Sequence, residues 1–216
     1  MGDSNPRVCM PYYEYGAIAA MRTRHFINIY MTLSILSNTC VGSGLYQKLN
    51  MQYNCPLIGS LILNDDDWLR LCERPQYYFS LEPKFIKSED KYRSWNYPIV
   101  MLEDVRIDFI HETNDSVLYE KYKRRAKRFF NTEPCLVWSY YEMFSYHDNY
   151  HLVIDKFLSF EAKTIFVGPE DFKSEKGQYI IEGDQNVERD SYGVTFTNFQ
   201  LMIIERVIGF LNQSPL

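Results

Sequence analysis

A cysteine, Cys40, stands at the end of a short apolar run and directly before a glycine-containing segment, in the stretch T-L-S-I-L-S-N-T-C-V-G-S-G-L-Y from Thr32 to Tyr46. This pattern predicts a buried strand, a turn and a helix that begins near Ser43. Open α/β sheets bind their ligands at the carboxyl ends of strands, and a helix N-terminus favours a thiolate over a thiol. We therefore predict Cys40 as a nucleophile.

A histidine, His111, closes the run V-R-I-D-F-I-H and so follows its own strand as Cys40 follows the first one. If the two strand ends are neighbours, the sulfur and the imidazole lie within about one water-bridged contact. A histidine can take the thiol proton and return it later. The pair predicts acyl transfer or hydrolysis through a thioester. A small buried cysteine and a histidine bonded to the main chain would give the same pattern.

Further groups around this pair could assist the reaction. The side chains that could orient the imidazole are Asn38, Glu112 and Asp115. The main-chain N–H groups of Val41 and Gly42 could donate to an oxyanion, and Gly44 belongs to the same turn.

A basic run follows His111 and places six cations within eight residues, namely Lys121, Lys123, Arg124, Arg125, Lys127 and Arg128. Such runs are commonly solvated helix faces. Alternatively, Arg124, Arg125 and Arg128 could bind the phosphate of an extended donor, since arginine binds phosphate in a bidentate fork.

An acidic triplet from Asp65 to Asp67 follows Asn64 and predicts an exposed helix N-terminus, with Asn64 accepting from a main-chain N–H. The alternative is a divalent-metal site in which Asp65 and Asp67 serve a glycosyltransferase. His147 and His151 are four residues apart but lack a third ligand. We predict no metal and no cofactor.

The hydrophobic pattern predicts strands alternating with helices. Helices are expected over Tyr13–Ile29, Leu45–Leu49, Asp65–Glu73, Asn114–Phe130, Tyr150–Leu158 and Thr197–Leu211. Strands are expected from Thr32 and over Pro56–Leu63, Tyr77–Leu81, Phe85–Ile86, Pro98–Leu102, Val105–Ile110, Pro134–Ser139 and Lys163–Val167. Residues Asp171–Gly193 are expected to be irregular or a hairpin.

This alternation predicts a single α/β domain over residues 1–216, a three-layer α/β/α arrangement with a mostly parallel or mixed sheet. Residues 1–30 would form a leading helix and residues 197–212 a C-terminal helix.

Composition limits the partners and the compartment. A net charge of -5 argues against nucleic acid, which needs a basic surface. The five cysteines include no C-x-x-C pair, so neither a disulfide framework nor a zinc ribbon is indicated. No apolar window is long enough for a transmembrane segment, and the N-terminus lacks a signal-peptide core. We expect a cytoplasmic protein.

Four short blocks, S-I-L-S-N-T-C-V-G-S-G-L-Y, Y-N-C-P-L-I-G-S-L-I, Y-P-I-V-M-L-E-D-V-R-I-D-F-I-H and K-Y-K-R-R-A-K-R, occur in this order. Together they resemble a bacterial family of unknown-function domains labelled exopolysaccharide biosynthesis protein, sometimes acyltransferase. The likeness covers about residues 30 to 145, and Arg125 matches the family's arginine block. It implies an α/β fold and an association with polysaccharide assembly, but no agreed reaction.

With this resemblance, the sequence predicts thiol-dependent acyl transfer or hydrolysis on a glycan or glycan precursor. The partner would be a carbohydrate or a phosphate-bearing donor. The alternatives are the metal-dependent glycosyltransferase using Asp65 and Asp67, and a non-catalytic protein that binds a glycan or a partner enzyme.

Overall fold

The computed structural model describes residues 33–86, 97–139, 150–168, 180–182 and 203–211. The predicted leading helix over Tyr13–Ile29 lies outside these ranges. The helices are α1 (Val41–Lys48), α2 (Asp65–Glu73), α3 (Pro75–Ser80), α4 (Asp115–Phe129), α5 (Tyr150–Leu158) and α6 (203–211). The strands are β1 (Leu33–Ser37), β2 (Lys84–Ile86), β3 (Ile99–Leu102), β4 (Val105–Asp108), β5 (Glu133–Ser139), β6 (Lys163–Gly168) and β7 (Ile180–Glu182).

A parallel sheet of four strands has the order β1-β5-β6-β7. Its register pairs Ser37 with Val137 and Val137 with Ile165. Strands β1, β5 and β6 are buried along most of their length. Parallel strands that are covered on both faces have such continuous apolar runs, which is why the sequence signal for these strands is strong.

A second, antiparallel sheet has the order β2-β3-β4. The turn between β3 and β4 places Glu103 at a φ of 57°, in the left-handed region. The predicted α/β class is therefore confirmed, with the strands divided between two sheets. Helices lie between β1 and β5 and between β5 and β6 along the chain, while β3 and β4 form a hairpin through a two-residue turn.

The two sheets are joined by a short stretch, Gly59–Ile62, which we call the bridging segment. Leu61 and Asp108 exchange both main-chain hydrogen bonds, at 2.8 Å and 2.9 Å. The next N–H, that of Ile62, donates to the carbonyl of Asn38 at 2.8 Å. Because Asn38 follows β1 and Asp108 ends β4, the bridging segment brings the ends of these two strands together.

Two predicted strands are not strands. Within Pro56–Leu63, residues 56–59 form a turn with Gly59 at a φ of +80°, and only Leu61 makes a β-bridge. Pro56 has no N–H to give to a ladder, and a left-handed glycine interrupts an extended strand. Residues Tyr77–Leu81 belong largely to helix α3, whose first residue is Pro75, a position where a helix accepts proline.

Strand β1 lies at the edge of the parallel sheet, and side chains cover its outer side. The Asn54 amide donates to the carbonyl of Leu33 at 2.8 Å, and the Tyr46 hydroxyl accepts from the N–H of Ile35 at 2.9 Å. The same hydroxyl donates to the Asn54 side chain. Main-chain groups that another strand would pair are thereby satisfied, as buried polar groups require.

Helices α2 and α5 pack together through aromatic side chains at the core. The Phe157 ring lies 6.4 Å from that of Trp68 and 5.3 Å from that of Trp138, measured between centroids. The buried apolar cluster contains residues of both sheets. In the described part of the chain, no helix combines the length and apolar character that crossing a membrane requires.

Candidate active site

The two predicted functional side chains meet where the ends of β1 and β4 come together. Cys40 Sγ lies 3.0 Å from His111 Nε2. Cys40 directly precedes α1, and His111 comes three residues after the end of β4. The predicted proximity of the sulfur and the imidazole is confirmed.

Cys40 occupies the N-cap position of α1, so this helix begins at Val41, two residues earlier than Ser43. Its side chain makes no capping hydrogen bond to the helix. The sulfur therefore lies at the positive end of the helix dipole, which favours negative charge.

A glycine lets α1 approach the end of β1 closely enough to place Cys40 there. A Cβ atom added to Gly42 would come within 2.9 Å of the Ser37 Cβ. Real Cβ atoms do not approach so closely, so a larger residue would push the helix away from the strand. Gly42 thus contributes to the position of the thiol.

Cys40 differs from the other cysteines in its exposure. Of the four cysteines that the structure describes, Cys40 is partly exposed, whereas Cys55, Cys72 and Cys135 are buried and none is in a disulfide. Burial raises the pKa of Cys55 and of Cys135 to about 12, and it raises the pKa of Cys72 well above its ordinary value. Among these four, Cys40 is the thiol that can react with a dissolved substrate.

The surroundings of His111 favour a neutral imidazole, which can act as a base. Desolvation lowers the pKa of the half-buried imidazole, and the negative charge of Glu112 opposes this effect. The ring is therefore neutral near neutral pH. A neutral ring that accepts at Nε2 carries its proton on Nδ1. Glu112 itself is paired with the Lys121 ammonium at 2.7 Å, in a setting where both side chains are largely buried.

Of the predicted orienting residues, Asn38 and Glu112 bind other groups and Asp115 is exposed. The Asn38 amide donates to the carbonyl of Ser139 at 3.1 Å and its oxygen accepts the Ser139 N–H at 2.9 Å, so these bonds hold the side chain on β5. A fully buried amide needs partners for its polar atoms, and the end of β5 binds its oxygen and one N–H. Asp115 lies exposed in the first turn of α4. Within the described ranges, the ring's hydrogen-bond partner is Cys40.

The predicted oxyanion donors already have local acceptors. The Val41 N–H lies 3.4 Å from the Thr39 hydroxyl, and the Gly42 N–H donates to the Thr39 carbonyl at 3.3 Å. The N–H of Gly44 donates to the carbonyl of Cys40 at 3.3 Å, within the helical pattern. These bonds are long, so Val41 and Gly42 would donate to an oxyanion only in exchange for them.

Two residues next to the dyad were missed by the sequence reasoning. The Ser43 hydroxyl accepts the N–H of Gly59 at 2.9 Å. A Cβ on Gly59 would lie 3.4 Å from the His111 Cβ, so the Gly59 backbone packs directly on the histidine. The available signal was the i, i+3 spacing of Cys40 and Ser43 on one helix face.

The three arginines predicted to bind phosphate do not act as one group. Arg125 is almost fully buried, on the same face of α4 as the apolar residues, and its guanidinium lies 5.3 Å from the centroid of the Tyr53 ring. The expectation that the basic run forms a solvated helix face is wrong for Arg125. Residues 122, 125, 126 and 129 share one helix face, and that face is buried. Arg128 donates to the Tyr53 carbonyl at 2.7 Å, and Arg124 is exposed.

The acidic triplet opens α2 as predicted, with the Asn64 oxygen accepting the N–H of Asp67 at 3.0 Å. The predicted exposure holds for Asp66 but not for Asp65 or Asp67, which are buried. One Asp67 oxygen accepts from Arg70 and the other accepts the Arg106 N–H at 3.0 Å. The carboxylate thus joins α2 to β4.

Across the described ranges, no group of three or more His, Cys, Asp and Glu side chains has the arrangement of a metal site. His151 is exposed on α5, and His147 lies outside those ranges.

Comparison with known proteins places the chain in a family. An uncharacterized protein of Haemophilus influenzae is 26% identical over 125 residues, which cover 55% of this chain and 58% of that protein. The chain thus spans less than two thirds of the length of this relative. A family model described as a domain of unknown function, DUF1919, matches residues 13–207. Because that match covers most of the sequence, the chain belongs to the DUF1919 family.

Proposed function

We propose that this protein is a thiol-dependent enzyme that transfers or hydrolyses an acyl group through a thioester on Cys40. The observation that carries the proposal is the 3.0 Å contact between Cys40 Sγ and His111 Nε2. The partial exposure of this thiol and the neutral imidazole support it. A structural cysteine needs neither a partner base nor access to solvent.

The reaction has two halves. His111 Nε2 takes the thiol proton as the sulfur attacks the acyl carbonyl and forms the S–C bond. The bond to the leaving oxygen then breaks, and the imidazolium returns its proton to that oxygen. In the second half, the imidazole takes a proton from an acceptor hydroxyl or from water, which attacks the thioester. The C–S bond breaks, and the sulfur recovers its proton from His111.

We further propose that the acceptor is a glycan. This part of the proposal rests on the resemblance of the four sequence blocks to proteins of polysaccharide biosynthesis. A phosphate-bearing donor would have to be bound without Arg125, which is buried. The metal-dependent glycosyltransferase has less support, because both oxygens of Asp67 bind protein groups.

The acyl-enzyme can be tested directly with p-nitrophenyl acetate and intact-mass measurement. Cys9 lies outside the described residues, so the experiment uses a Cys9→Ser background. We expect one acetyl group on Cys40, none in Cys40→Ala, and acylation about 100-fold slower in His111→Gln, the usual loss for a general base. The buried Cys135 serves as an internal control and should remain unmodified.

The fate of the acetyl group separates transfer from hydrolysis. An oligosaccharide should speed its departure from Cys40 and become acetylated if the protein is a transferase, whereas free acetate would indicate a hydrolase. If acetylation maps to another residue, or if His111→Gln acylates as fast as the parent protein, the dyad is not catalytic and the binding-protein alternative becomes the better one.

A further inference from the structure

One hydrogen bond links the helix that carries the thiol to the backbone that supports the imidazole. The Ser43 hydroxyl, one turn after Cys40 on α1, accepts the N–H of Gly59 at 2.9 Å. The Gly59 backbone lies against His111, since a Cβ built on this glycine would be 3.4 Å from the His111 Cβ and 3.9 Å from its Cδ2. Ser43 thus reaches the histidine through Gly59.

The turn that presents Gly59 has a defined shape. Gly59 has a φ of +80°, which L side chains rarely adopt. The N–H and the hydroxyl of Ser60 bond to the carbonyl of Leu57 at 3.2 Å and 2.8 Å, closing the turn from the other side. The turn therefore keeps its own shape, and Gly59 can shift only if the whole turn shifts.

The rest of the bridging segment is held at both strand ends. Leu61 is bonded to Asp108, three residues before the histidine, and Ile62 is bonded to Asn38, two residues before the cysteine. These bonds align the two strands. The final approach of the Cys40 and His111 side chains then depends on the contacts made by Gly59.

We propose that Ser43 is a positioning residue for the dyad. By holding Gly59 against the imidazole, it sets the reach of His111 Nε2 to Cys40 Sγ. This inference rests on the proposed function, because it assigns Ser43 a role in that reaction. Ser43 acts through Gly59.

The physical argument concerns distance. Without the hydroxyl, the N–H of the buried Gly59 loses its acceptor, and the whole turn can move away from the histidine to find another. A proton passes between sulfur and nitrogen only over hydrogen-bond reach, and a displacement of about 1 Å can cost about 100-fold in rate. A smaller displacement of the turn should produce a smaller, measurable loss of rate.

The test follows iodoacetamide alkylation of Cys40 as a function of pH in the Cys9→Ser background. The matched pair is Ser43→Thr, which keeps the hydroxyl, and Ser43→Val, which has nearly the same shape without it. We expect alkylation at neutral pH to be about tenfold slower in Ser43→Val, with its pH profile shifted toward that of His111→Gln. Ser43→Thr should retain the parent profile.

Two further variants complete the test, a negative control at a distant serine and a smaller substitution at Ser43. Ser159→Ala removes an exposed serine that donates to the Lys156 carbonyl at 2.6 Å, far along the chain, and should leave the profile unchanged. Ser43→Ala provides a smaller substitution, to be used if Ser43→Val fails to fold by circular dichroism.

The inference is overturned if the variants without the hydroxyl unfold at a lower temperature but keep the parent pH profile, since Ser43 would then only stabilise the fold. It is also overturned if nothing changes. Alkylation requires no acyl substrate, so this result is independent of the acetylation experiment. A protein that never forms an acetyl-enzyme could still show the Ser43 effect, and a working acyl-enzyme could lack it.

Discussion

The dyad pairs the Cys40 sulfur with a base, His111, that is neutral near neutral pH. Desolvation lowers the pKa of His111, so the resting imidazole can accept a proton at Nε2. Proton transfer requires hydrogen-bond reach, which makes the 3.0 Å separation of Cys40 Sγ and His111 Nε2 the quantity that matters most. The negative charge of Glu112, next to the ring, raises the pKa of this base.

Glu112→Gln should lower the pKa of His111 further. The carboxylate of Glu112 raises this pKa against the larger effect of burial, so removing its negative charge leaves desolvation unopposed. The measurement is a proton NMR titration of the histidine rings, with the His111 signal assigned by its loss in His111→Gln. The activity profile on the acid side should move to lower pH in the same direction.

The control for this titration is Asp115→Asn. Asp115 is an exposed carboxylate in the first turn of α4, and it is not among the causes of the His111 shift. The His111 pKa should not change in this variant. A rise in the pKa on Glu112→Gln would contradict this assignment and mean that the ring has become more exposed to water.

Gly42→Ala tests, at the level of an element, how tightly helix α1 is fitted to strand β1. The new methyl group would lie 2.9 Å from the Ser37 Cβ, and overpacking of this kind costs about 1–3 kcal/mol. Alanine is favoured over glycine inside a helix by about 1 kcal/mol, which offsets part of this cost. We expect a lower free energy of unfolding in urea and slower acylation of Cys40.

Gly209→Ala is the matched control, because it is the same substitution within a helix. Nothing lies within 4 Å of the added Cβ there. This variant should be more stable by up to about 1 kcal/mol. If Gly42→Ala is stabilised to the same extent, the close approach of α1 to β1 does not limit the site.

Elements with a strong periodic pattern were predicted well from the sequence. Helix α2 was predicted with its observed ends, and α4 with both ends within one residue, because an asparagine cap marks the start of each. The failures lie at Pro56–Leu63 and Tyr77–Leu81. In both, short apolar runs were read as strands although a nearby proline or glycine determined the backbone.

The candidate site could be predicted only in part. The ends of two strands were expected to meet, and Cys40 and His111 do so. The i, i+3 spacing places Ser43 on the same helix face as Cys40, but the contact of Ser43 with Gly59 depends on tertiary structure, and no spacing in the sequence indicates it. Arg125 shows the opposite error, because six cations within eight residues suggested an exposed face, while the helical period places one of them inside.

The whole molecule depends on the joint between the parallel and the antiparallel sheet, and Asn38 lies at this joint. Its side chain satisfies two main-chain groups of Ser139 at the end of β5, and its carbonyl accepts from Ile62 in the bridging segment. One residue therefore connects β1 with β5 and with the segment that reaches β4.

Asn38→Ala should destabilise the protein by about 1–3 kcal/mol for each buried main-chain group that loses its partner, since alanine replaces neither the donor nor the acceptor. Urea unfolding gives this loss, and acylation of Cys40, two residues away, should slow at the same time. Asn64→Ala is the matched control: it removes an exposed N-cap of α2, and its cost should be about 1 kcal/mol with the acylation rate unchanged. Equal losses in the two variants would show that the bonds of Asn38 to β5 are no more important than a helix cap. The positions of the thiol and the base would then not depend on the bonds of Asn38 to β5.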